Sequence, residues 1–222
     1  DLVDNIVHLV LAKLPGAPDT TKGISLFVVP KFLPDSGERN PAFCGGLEHK
    51  MGIKGSATCV MNFDGAKGWL IGPENKGLNC MFTFMNTARI GTAIQGLGSA
   101  ELGFQGSLAY AKERLAMRSL SGPKNPDGIA DPIIVHPDVR RMLLAQKAYS
   151  EGGLALCLYG ARLMDDQHTH PDDQKRMEAG KLLDLLTPVI KAWPSEYGPK
   201  ANDLAIQVYG GAGYTREYPV EQ

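Results

Sequence analysis

The sequence predicts a two-part chain, a β-rich first third followed by an antiparallel bundle of four helices. Before residue 72, short β-branched runs alternate with Pro- and Gly-rich gaps, whereas after residue 77 apolar residues recur at helical spacing almost to the end of the chain. A cluster of glycines at Gly210, Gly211 and Gly213 then closes the last helical stretch. Domain boundaries are therefore expected at 1–72 and 73–222.

Within the first part, residues 6–11 and 24–29 are apolar and rich in β-branched side chains, and 58–64 alternate between apolar and polar positions. Pro15, Gly16 and Pro18 break the first gap, and 30–46 reads as a long loop through Pro34, Gly37, Pro41, Gly45 and Gly46. The chain starts directly at a strand, which predicts earlier strands of the same sheet upstream of Asp1. The terminal motif stops unfinished at Gln222, so truncation is expected at both ends.

Past Gly72, Pro73 and Gly77 the first helix is predicted over 78–117, which at 1.5 Å per residue is about 60 Å long. It carries Gly91, Gly96, Gly98, Gly103 and Gly106, each costing about 1 kcal/mol against alanine, so close packing against another backbone is expected. Gly91, Gly98 and Gly106 lie about two turns apart and are expected to line that face. A second helix should start at Pro137 or Asp138 and continue to about 166, a third should span 174–191 with Pro188 as a kink or end, and a fourth 199–209.

Composition narrows the function classes. With 222 residues and 43% hydrophobic content, the chain has room for one large core or two smaller ones. No run of 18 apolar residues exists to span a membrane, and the first residues lack a signal-like segment. A formal net charge of -1 argues against a surface built to neutralise nucleic-acid phosphates. Cys44, Cys59, Cys80 and Cys157 have neither metal-ligand nor disulfide-framework spacing, which fits a reducing compartment and a cytoplasmic location. His168 and His170 are expected in a solvated polar loop rather than at a metal.

Two features could carry chemistry. Glycines at 210, 211 and 213 can end a helix in a surface turn, or let the backbone approach a ligand. Arg89 and Arg114 are 25 residues apart, close to seven turns, so they share a helix face but stand about 37 Å from each other and cannot serve one small site. They are either two surface ion pairs or two separate anion contacts. GLGSAE at 96–101 lacks both the third glycine and the preceding strand of a dinucleotide fingerprint, so a Rossmann reading is rejected.

KGISLFVVPK at 22–31, EHKMGIKGSATCVMNFD at 48–64, the helix from ARIG at 88 to YAKER at 114, and QVYGGAGYTREYPVE at 207–221 together resemble the acyl-CoA dehydrogenases across nearly the whole chain. The loops are most similar to the subgroup that includes methylthiopropanoyl-CoA dehydrogenases. The resemblance implies a partial β-barrel or sandwich middle domain followed by an antiparallel four-helix bundle, with FAD as cofactor. It also implies an acyl-CoA substrate dehydrogenated to a trans-2-enoyl-CoA, electron-transferring flavoprotein as partner, and a homodimer or homotetramer.

Carried over residue by residue, the resemblance makes Asn86 and Arg89 substrate-binding, although Asn86 stands where many members have aspartate. Ser56 would line the flavin cleft. Arg114 would reach the FAD diphosphate of a neighbouring subunit, and Gln207, Gly210 and Gly211 would form the FAD-contacting turn. Met117, Arg118 and His136 depart from the family at adenine-side contacts. The catalytic glutamate is expected beyond Gln222; its alternative position is Ala88, which cannot take a proton, and Glu217 and Glu221 read as surface or interface charges. The piece alone is therefore expected to be inactive and to retain FAD weakly. An acyl-CoA oxidase or a DNA-binding alkylation-response flavoprotein shares the fold and remains as an alternative.

Overall fold

A computed structural model describes residues 3–218 and 220, except for the side chain of Asn86. The chain divides into two compact units, Asp1–Met85 and Asn86–Gln222.

In the first unit, β1 (Val7–Lys13) pairs antiparallel with β2 (Ile24–Pro30), in a register that sets Leu9 opposite Val28, and β2 pairs with β5 (Trp69–Ile71). A separate two-stranded ladder joins β3 (Phe43–Leu47) to β4 (Cys59–Asn62). These are two open sheets, and no barrel closes among the described residues. The three runs expected as strands are β1, β2 and β4. β3 lies at the end of the expected loop, its FCGGL sequence too glycine-rich to give an alternating signal, and β5 is too short to give one. Asn40, fully buried, pins that loop. Its amide nitrogen donates to the carbonyls of Pro30 and Lys67, and its carbonyl accepts from the Lys67 N–H, so a polar side chain satisfies backbone that no strand pairs.

The first turns of α1 (Gly77–Glu113) belong to this unit. Gly77 lies against the backbone of Ser25 and Leu26 so closely that a Cβ would come within 2.3 Å of it. The rest of α1, with α2 (Pro137–Thr169) and α3 (Asp173–Tyr209), makes the second unit. Three long helices are present among the described residues where four were expected, because the predicted third and fourth are one helix. Its buried positions Leu183, Thr187, Ile190, Pro194, Gly198, Ala201, Ala205 and Val208 recur every three or four residues straight through Pro188, Pro194 and Pro199. Burial of that stripe outweighs a cost of about 3 kcal/mol for a proline inside a helix. His168 likewise ends α2 rather than sitting in a loop, and His170 caps it. No grouping of His, Cys, Asp and Glu suited to a metal occurs among the described residues, nor does any helix long and apolar enough to cross a membrane.

The three helices share a core of Ile90, Ala93 and Leu97 from α1, Cys157 and Leu163 from α2, and Ala179, Leu183 and Ile190 from α3. α1 and α3 run parallel and nearly touch. A Cβ on Gly96 would lie 3.0 Å from the Pro194 carbonyl oxygen, and one on Gly198 would lie 2.9 Å from that of Gly96. Farther along, Gly103 faces Asn202 and Gly106 faces the Tyr209 hydroxyl. Gly106 thus belongs to the packing face as the spacing implied. Gly91 and Gly98 do not, since a Cβ on either meets nothing within 4 Å. The seam between α1 and α2 holds a buried polar pair, with the Ser107 hydroxyl donating to the Gln146 carbonyl oxygen at 3.0 Å.

Between α1 and α2, residues 114–136 form a loop zipped at its neck and filled by one carboxylate. Leu115 bridges Pro132; Ala116 N–H donates to the Asp131 carbonyl and Asp131 N–H to that of Met117, both at 2.9 Å. The fully buried Asp131 carboxylate accepts the N–H groups of Ser119, Lys124 and Asn125 at 2.7–2.8 Å and meets the Arg118 guanidinium at 3.3 Å. The Ser119 N–H leads in holding its pKa from the ordinary 3.8 down to about 2; desolvation opposes this, and Asn125, Lys124 and Arg118 add to it.

Two outcomes follow. Gly198→Ala should lower unfolding stability by about 1–3 kcal/mol through backbone overpacking, whereas Gly91→Ala, with open space, should raise it by up to about 1 kcal/mol; urea denaturation of both decides. Because Asp131 titrates lower folded than unfolded, its contribution is complete above pH 3.8 and disappears as the pH falls through about 2. The carboxyl carbon resonance of Asp131 should accordingly titrate near pH 2, and a midpoint near 4 contradicts a buried, bonded carboxylate.

Candidate functional site

The predicted glycine turn is a constrained bend at the end of α3. Gly210 takes φ 61° and ψ −132°, a conformation strained for any residue with a Cβ, and its N–H donates to the carbonyls of Ile206 and Gln207. A 3-10 turn, Gly210–Tyr214, follows. Gly213 is buried, and a Cβ there would come within 2.7 Å of the Ile206 carbonyl oxygen. Gly210 and Gly211 differ from it: both are exposed, and a Cβ on either meets nothing within 4 Å, so their backbone is open to an approaching group. Gln207 is exposed on the last turn of α3, its amide nitrogen making a long 3.5 Å contact to the Tyr214 hydroxyl.

Tyrosines tie this bend to the far end of α1. Tyr209 packs on Tyr110 with ring centroids 4.8 Å apart, and Tyr218 closes the triangle at 5.1 Å from Tyr209 and 5.5 Å from Tyr110. Burial, with Tyr218 and Tyr110 alongside, raises the pKa of the Tyr209 phenol. Tyr110 lies one turn before Arg114, whose N–H donates to the Tyr110 carbonyl at 2.8 Å. α1 ends at Glu113, four residues earlier than expected, and Arg114 follows it with an exposed side chain. Arg114, Gln207, Gly210 and Gly211 therefore gather at one end of the helical unit.

The remaining predicted residues are elsewhere. Arg89 is a half-buried residue of α1 beside the core position Ile90, and so is not in bulk water. Asn86 is on the same helix, with a side chain outside the described residues. Ser56, in the first unit, is exposed in the turn between β3 and β4, where its N–H donates to Ile53 and its carbonyl accepts from the Lys50 amine. Glu217 is exposed, and its pKa is lowered by a hydrogen bond from the Thr215 side chain first, which favours its charged form. Glu221 lies outside the described residues.

Sequence reasoning missed Tyr110, Tyr209 and Tyr218, which assemble the site, and Asp131, which organises the loop beside it. A tyrosine close to the end of each of two helices was the available signal. Chemically, the gathered groups are a guanidinium able to bind two oxygens of one anion, a carboxamide donor and an unshielded glycine backbone. Such donors fit a diphosphate.

Residues 75–222 match the family described as "Acyl-CoA dehydrogenase, C-terminal domain". The whole chain is similar to the 3-methylmercaptopropionyl-CoA dehydrogenase of Ruegeria pomeroyi, at 42% identity, and to the broad-specificity linear acyl-CoA dehydrogenase FadE5 of Mycobacterium tuberculosis, at 41%. It spans 38% of the length of each. Among solved structures, Caenorhabditis elegans ACDH-11 in complex with C11-CoA superposes with TM-score 0.78 at 24% identity, covering 95% of this chain and 34% of that one. Butyryl-CoA dehydrogenase from Megasphaera elsdenii gives 0.71 at 24% identity, covering 97% and 49%. Sequence and fold agree: the chain belongs to the acyl-CoA dehydrogenase family of FAD-dependent oxidoreductases.

Proposed function

We propose that the whole protein catalyses α,β-dehydrogenation of an acyl-CoA thioester to a trans-2-enoyl-CoA and passes the electrons to electron-transferring flavoprotein. The observation that carries this reading is the convergence of Arg114, Gln207 and the open Gly210 and Gly211 backbone at one end of the helical unit, in a chain of this family. In this reading Arg114 binds the FAD diphosphate through paired N–H donors, Gln207 adds a carboxamide, and the glycines let the nucleotide lie against the main chain. That FAD belongs to a neighbouring copy, making the enzyme a homodimer or homotetramer. FAD, when bound, accepts the hydride that leaves the substrate's β-carbon.

Arg89 and Asn86, far along α1 from Arg114, are assigned to a different ligand, the acyl-CoA. Ser56 borders the flavin from the first unit. The proton on the α-carbon needs a carboxylate base, and Ala88 has none. In this reading the base comes from a part of the protein other than these 222 residues, and this piece by itself gives no turnover. The relatives named for 3-methylmercaptopropionyl-CoA and for linear acyl-CoA support an unbranched acyl group as substrate.

The full-length protein should purify with a flavin spectrum and reduce an artificial dye with saturated acyl-CoAs, without releasing hydrogen peroxide in air. Absence of both flavin and dye reduction overturns the reading, and stoichiometric peroxide assigns an oxidase instead. Arg114→Ala should raise the FAD dissociation constant by about 10- to 100-fold, the scale of losing a charge-assisted hydrogen bond, as read by flavin fluorescence on titrating the stripped enzyme.

A further inference from the structure

We propose that Asp131 is a positioning residue for cofactor binding, acting through Arg114, an inference that rests on the reading of Arg114 as the diphosphate contact. The backbone of Arg114 is the point where the loop is fastened: its N–H donates to Tyr110 and its carbonyl accepts from the Ile133 N–H at 2.9 Å. From there the two sides of the neck run through the Leu115 to Pro132 bridge and the paired bonds of Ala116 and Met117 with Asp131. The zipper ends on Asp131, and the ring of His136 reaches the Ala116 carbonyl at 2.9 Å to fasten the same stretch to the start of α2.

Beyond the neck, little else can order the loop. Leu120 and Ile129 are each 94% exposed, so apolar burial does not hold it, and the segment forms neither helix nor strand. Its order comes from polar groups that converge on one carboxylate. Ser119, Lys124 and Asn125 offer their N–H groups to Asp131, while the Arg118 guanidinium joins Asp131 to the carbonyls of Asn125 and Gly128. Met117 turns the chain into this arrangement at φ 62°, a left-handed conformation that a non-glycine residue keeps only when its surroundings hold it. Without the carboxylate, three part-buried N–H groups lose their acceptor, and the cheapest relief is for the loop to open and hydrate them.

Opening at the neck frees the backbone on the C-terminal side of Arg114. α1 holds that residue from its N-terminal side alone, through the N–H bond to Tyr110, and ends at Glu113, so the Ile133 to Arg114 bond and the zipper beyond it fix the other side of the residue from which the guanidinium extends. A guanidinium on a loosened backbone must be ordered at the moment of binding, and the cost appears as lost affinity. Asp131 touches neither substrate nor cofactor in this scheme. It sets the affinity of a residue that does.

The test titrates FAD into stripped full-length enzyme carrying Asp131→Ala, Asp131→Asn, Arg114→Ala, or Arg114→Ala with Asp131→Ala, alongside acyl-CoA kinetics at saturating FAD. Asp131→Ala should raise the FAD dissociation constant about tenfold, as expected for lost preorganisation, with kcat and the acyl-CoA KM unchanged once FAD saturates. Asp131→Asn should restore part of the affinity, because its carbonyl oxygen still accepts. The double variant should bind FAD no more weakly than Arg114→Ala alone, since the two residues act on one contact. Wild-type FAD affinity in Asp131→Ala, or multiplicative losses in the double variant, overturns the proposal while leaving the role of Arg114 intact. If Arg114→Ala itself binds FAD as tightly as wild type, both readings fall. Should Asp131→Ala not accumulate as folded protein, Asp131→Asn decides: a weakened FAD affinity at unchanged thermal midpoint supports the proposal, and an unchanged affinity overturns it.

Discussion

The near-contact of two helix backbones, α1 at Gly96 and α3 at Pro194 and Gly198, is the constraint from which the rest of the helical unit follows. With carbonyl oxygens about 3 Å from where a Cβ would stand, the two helices cannot separate by even one methyl group without losing the contact. That closeness fixes their relative height. Once Gly96 is opposite Gly198, the parallel course of the helices sets Gly103 at Asn202 and Gly106 at Tyr209, and the ends of both helices arrive together. The cost of several glycines in one helix is thereby offset by packing that no larger residue allows.

The site is a product of that alignment and not of any strong local motif. Tyr110 and Tyr209 meet because their helices end at the same level, and Tyr218 folds back to complete the cluster. Arg114 and the glycine bend then stand on adjacent helix ends, each with its exposed polar groups outward and an aromatic seal behind. The loop that leaves Arg114 is ordered by polar groups where the helices are ordered by apolar ones, so the site joins two kinds of construction. One is dry and close-packed; the other is hydrogen-bonded around Asp131.

How much of this was legible depended on whether a residue's role was local. Strands β1, β2 and β4 announce themselves by β-branched runs, and the glycine bend after Tyr209 by composition. The family motifs carry Arg114, Gln207, Gly210 and Gly211, which the structure gathers. By contrast, the choice among glycines on α1 depends on which ones meet α3, and spacing alone selected Gly91 and Gly98 where the packing uses Gly96 and Gly103. Proline rules broke α3 into two because propensity is weighed residue by residue, whereas a buried stripe of eight positions acts as a whole. Asp131 gave no signal at all, since its partners are backbone N–H groups that any sequence possesses.

The three prolines within α3 have a consequence for how the molecule comes into being. A segment with Pro188, Pro194 and Pro199 has little helical tendency of its own, so it acquires its shape only against the neighbours that bury its stripe. The terminal bend, and with it the open Gly210 and Gly211 backbone, therefore depends on the packing of the first and third rods against each other.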